Sequence, residues 1–103
     1  MKKVDPTTWI DKENRAANRL ADLLTEICDE SLAQKVNVYF HRFNIRMKAL
    51  NSMEKKHRTF YLLLLLDKTQ DEVIKNIRNE TVASLMLNIF SAIYRKELIK
   101  IER

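Results

Sequence analysis

Apolar residues recur along this chain at helical spacing, and short polar stretches cut the pattern into segments. Trp9, Ile10, Ala16, Ala17, Leu20, Leu23, Leu24, Ile27 and Cys28 share one face when wound as a helix. Asp5 followed by Pro6 supplies an N-cap and a proline whose φ is already helical. The spacing therefore predicts a first helix over about 6–29, closed by Asp29-Glu30. Ser31-Leu32-Ala33-Gln34 has the form of a capping box and opens a second helix. Its core stripe is Leu32, Val36, Tyr39, Phe40, Phe43, Met47 and Leu50. Val38 and Ile45 lie roughly 150–200° away from that stripe. Apolar residues on two faces suit a helix that sits between neighbours or carries a contact. Asn51-Ser52 breaks it.

A third helix begins polar at Met53 and ends in five consecutive leucines. A run apolar all round reads as the buried centre of the fold, so this helix is expected to be the least exposed. Asp67-Lys68 reads as a turn, followed by a second capping box, Thr69-Gln70-Asp71-Glu72. The helix it opens is short, with Val73, Ile74 and Ile77, and ends near Arg78. Asn79 caps the last helix, whose core stripe is Val82, Leu85, Met86, Ile89, Phe90 and Ile93. Leu87, Tyr94, Leu98 and Ile101 form a second stripe beside it. If that stripe faces water, two-fold pairing covers it, so these four residues are the expected interface of a homodimer. The expected fold is all-α: a compact bundle of about five helices in a single domain over residues 1–103.

Composition narrows what such a bundle does. The chain has 103 residues, enough for one core, and no glycine, one proline and one cysteine. Glycine-built phosphate loops, dinucleotide fingerprints and nucleophile elbows are excluded in their usual form. The lone Cys28 has no partner for an internal disulfide and, on the core face, reads as a small buried hydrophobe. This cysteine usage fits a reducing cytoplasm, the expected location. Asp5, Asp11 and Glu13 interrupt any signal-peptide pattern, and the longest apolar run, Phe60 to Leu66, is too short for a membrane span. No membrane association is expected.

Charge changes the picture most. The formal net charge is +5, but residues 1–30 carry five basic and seven acidic side chains, and residues 67–103 seven and six. Residues 31–66 carry seven basic side chains against Glu54 alone. Lys35, Arg42 and Arg46 fall within about 40° of one another on the second helix, and His41 and Lys48 form another short stripe. With Lys55, Lys56 and Arg58 across the break, these residues form the candidate binding surface for a nucleic acid or an acidic protein partner. Two other readings stand beside it: a solvated helix face, which expects less bias than this segment has, and pairing with the acidic first helix. Tyr39, Phe40 and Phe43 lie on the core stripe and read as packing rather than base-stacking platforms.

Residues 60–95 resemble a helix-turn-helix in outline, and Thr69-Gln70-Asp71-Glu72-Val73-Ile74 looks like the opening of many such motifs, sigma-factor-like ones among them. The chain departs from the pattern. Ile74 stands where a small residue is usual, the turn lacks glycine, and the would-be recognition helix begins with Glu80. Cys28, His41 and His57 are single residues on three helices without metal-ligand spacing, and no catalytic constellation is evident. No metal, no cofactor and no enzymatic activity are expected. The function read from the sequence is a small nucleic-acid-binding regulatory or accessory protein using the basic surface of residues 31–58. The alternative is a helical interaction module, an adaptor or inhibitor, that uses the same cations or an exposed apolar stripe.

Overall fold

The computed structural model describes residues 15–102, and among them it contains four α-helices and no strand. They are α1 (Arg15–Ile27), α2 (Glu30–Ala49), α3 (Lys55–Asn76) and α4 (Glu80–Glu102), with a 3-10 turn, Leu50–Ser52, between α2 and α3. The all-α expectation holds, with four helices in place of about five. The predicted opening of the first helix at Asp5-Pro6, with Trp9 and Ile10, lies outside the described residues.

The count falls because α3 runs unbroken through the expected turn at Asp67-Lys68. Leu62, Leu66, Thr69 and Val73 repeat at intervals of four, three and four, and all are buried. That line is a continuous helical seam. No glycine or proline interrupts it, and Asp67 and Lys68 simply point outward. Thr69 therefore sits inside the helix at 3% exposure instead of capping one. Ile77 leaves the helical region, its amide donating to the Val73 carbonyl at 2.9 Å.

The α1–α2 junction shows how a chain without glycine closes a helix. Cys28 takes a left-handed backbone with φ 54°, and its amide donates to the Leu24 carbonyl at 3.2 Å. This is an αL cap at a position where glycine is usual, since a Cβ there clashes with the backbone. The geometry turns Cys28 out of the core, so the buried role expected for it is replaced by an exposed one. Asp29 then caps α2, its Oδ1 accepting from the Leu32 amide at 3.1 Å. Ser31, the expected cap, is already helical. The Asn79 cap on α4 forms as expected, accepting from the Val82 amide at 3.1 Å.

α4 is the axis of the fold. Val82, Leu85, Met86, Ile89, Phe90 and Ile93 are all buried along it. α1 packs along it through Ala17, Leu20, Ala21 and Leu24. From α2, the Phe40 ring stacks on Phe90 at 4.5 Å between centroids and Phe43 tilts against it at 4.8 Å. α3 and α4 are joined by three residues, and Gln70 Nε2 donates to Ser91 Oγ at 3.2 Å. At the far end Lys55, Lys56 and Thr59 line a groove with Ile101 and Glu102. The two helices are thus antiparallel along their full lengths, and the helix-turn-helix outline becomes a long hairpin. The described chain measures 43 × 28 × 18 Å. Every helix keeps an exposed face along its length.

Candidate functional site

The α2 cations stand on the face opposite the core. Lys35, His41, Arg42, Arg46 and Lys48 are all exposed. Lys35, Arg42 and Arg46 form one row and His41 and Lys48 another. Between the rows, at the centre of the outward face, lie Val38 and Ile45, 44% and 53% exposed and seven residues apart. Lys35, Arg42, Arg46 and Lys48 make no ion pair among the described residues. Arg46 and Lys48 also stand in the last turn of α2, where positive charge complements the helix dipole.

The three cations beyond the break differ. Lys55 and Lys56 are exposed in the first turn of α3, and Lys56 Nζ is 3.4 Å from Glu54 Oε2. Arg58 is half-buried. Its Nε donates to the Met53 carbonyl at 2.9 Å and its Nη2 to the Asn51 carbonyl at 3.0 Å. A guanidinium bridging two carbonyls of the connector holds the α2–α3 angle. Arg58 is thus engaged as a clamp on the turn that α2 and α3 share.

The predicted homodimer stripe is half-buried. Leu87 and Tyr94 pack against the core, Leu98 is partly covered, and Ile101 borders the groove beside α3. The free apolar surface lies elsewhere. Phe60, Tyr61, Leu63 and Leu64 are 61%, 44%, 48% and 46% exposed on α3, together with Ile74 and Ile99 at other points. The expectation that the leucine-rich helix is the least exposed is therefore overturned. α3 has a single buried line, and only Leu62 and Leu66 of the five leucines lie on it, with Leu65 at its edge. The clue available in the sequence was the interval pattern through Thr69, which assigns Leu63 and Leu64 to the other side.

Tyr39, Phe40 and Phe43 fall where the core stripe puts them: Phe40 and Phe43 are buried and Tyr39 is half-buried. Among the described residues no group of three His, Cys, Asp or Glu side chains could hold a metal ion. Nor is any described helix long and apolar enough to cross a membrane. No buried side-chain nitrogen or oxygen among them lacks a hydrogen-bond partner. The candidate site is the cationic α2 face with its apolar midline; α3 carries a further exposed apolar face. Comparison with protein-family models, with curated proteins and with solved structures finds no match.

Proposed function

We propose that this protein is a small helical binding module, and that the outward face of α2 receives an acidic amphipathic segment of a partner protein. The observation that carries the reading is the placement of Val38 and Ile45, exposed one heptad apart between two rows of cations. An incoming helix lays an apolar edge along such a midline and sets its flanking acids against the rows. A surface that met phosphates alone would have no use for an apolar centre.

A second reading, binding of nucleic acid, is favoured by the row Lys35, Arg42 and Arg46, which stands free of acidic partners among the described residues. The two readings separate by fluorescence anisotropy of the full chain. The probes are an acidic heptad-repeat peptide, duplex DNA, single-stranded DNA and RNA, each at two salt concentrations. The protein-partner reading expects peptide binding that is lost in V38D/I45D and also in R42E/R46E. The nucleic-acid reading expects V38D/I45D to bind DNA or RNA nearly as before, while R42E/R46E weakens binding alike for all sequences and flattens its salt dependence. No binding of the peptide by the unmodified protein overturns the first reading.

A further inference from the structure

The outward face of α2 changes sign from one end to the other. Glu30 and Lys48 are both exposed and stand 18 positions apart, five full turns, so they close the two ends of one row with His41 between them. The neighbouring chain repeats the bias. From Leu20 to Gln34 the charged residues are Asp22, Glu26, Asp29 and Glu30, all exposed and all acidic. Lys35 is the one cation in the N-terminal half of α2. The C-terminal half holds Arg42, Arg46 and Lys48, with exposed Lys55 just beyond the turn. Of the other charges near that end, Lys56 is set against Glu54, and Arg58 adds a further cation within the turn.

Two magnitudes decide whether a ligand would sense this. The ends of the face lie about 27 Å apart, beyond a screening length of about 8 Å at physiological salt, so each end presents its own potential. The α2 macrodipole runs the opposite way, but it amounts to roughly half a charge at each end and is outweighed by several full charges of one sign. Val38 and Ile45 lie between the two ends and favour neither direction.

We propose that this polarity fixes the direction of the segment bound on α2, an inference that rests on the protein-partner reading given above. The acidic end of the segment lies over Arg42, Arg46 and Lys48, and its neutral or basic end lies over Glu30. The reversed arrangement sets acids against Glu30 and leaves the cationic end unmatched. A partner helix with its acids in its first turns, where its own dipole favours them, therefore docks antiparallel to α2.

Two heptad-repeat peptides of equal composition test this on the full chain, one with its acids in the N-terminal half and one with them in the C-terminal half. Cys28 is the lone cysteine, is exposed and stands two residues before α2, so a nitroxide attached there marks the N-terminal end of the face. In both complexes the neutral half of the peptide is expected to lose the larger share of its NMR signal. In E30K/K48E, two exposed positions, the loss should spread over both halves. Equal loss along both halves with the unmodified sequence overturns the proposal, as does a larger loss in the acidic half. An unchanged pattern in E30K/K48E overturns it too, because the direction then does not come from charge. Each of these outcomes leaves the protein-partner reading standing where V38D/I45D abolishes binding. Failure of both peptides to bind the unlabelled protein overturns that reading and the polarity with it.

Discussion

α3 and α4 are the two longest helices, 22 and 23 residues, and they pack against each other, yet their apolar residues meet different fates. α4 lies among α1, α2 and α3 and buries six large apolar side chains. α3 contains the five-leucine run but is covered along one line only, and two of those leucines are close to half exposed. Apolar content decides how much surface a helix could bury; the number of neighbours decides how much it does. α4 meets all three other helices and keeps only a polar outward strip with Ile99, whereas α3 is left with an apolar outward face.

Substitutions sharpen or break that contrast. Phe90→Ala removes the ring on which both α2 phenylalanines rest, and the cavity it leaves should cost about 3–5 kcal/mol in urea denaturation. Such a loss is comparable with the whole stability of a small domain, so marked unfolding at room temperature is the expected extreme. Within α3, Leu62→Ala should cost about 2–5 kcal/mol because Leu62 is fully buried, whereas Leu64→Ala should stay near 0.5 kcal/mol or less, measured at low protein concentration. Equal losses at the two positions would mean that the outward face is covered after all.

The smaller effects belong to the junctions. Asp29→Ala should lose about 1 kcal/mol through its cap, while Ser31→Ala, inside the helix, should lose almost nothing. Cys28→Gly should gain about 1 kcal/mol in thermal denaturation, because the left-handed backbone there is strained for any residue with a Cβ. A loss of stability in Cys28→Gly would contradict the cap geometry.

How much of this was legible beforehand follows the same divide. The α4 stripe could be read because a side-chain cap at Asn79 and an uninterrupted period agree. Val38 and Ile45 were legible too, since α2 has one strong stripe and they lie opposite it. α3 was misread for two local reasons. A polar dipeptide and a capping-box sequence resemble a helix start, but the same letters occur mid-helix wherever a threonine fits the interior. The leucine run looks like a core because composition cannot say how many neighbours a helix has. Arg58 shows the limit at the candidate surface. Its charge counted towards the basic segment, but its donors go to two carbonyls of the turn, which only the backbone path determines.

The three-residue link between α3 and α4 bears on how the chain assembles. Residues that meet across this hairpin, such as Gln70 and Ser91, are 21 positions apart, whereas α1 reaches α4 from the other end of the described sequence. Closing the nearer contacts costs less chain entropy, so the hairpin has the advantage as a starting structure onto which α2 and then α1 can dock. Until they arrive, Phe90 and its neighbours on α4 face water along with the outer side of α3. A hairpin formed alone exposes more apolar surface than the finished fold, which makes it the more aggregation-prone form of the chain.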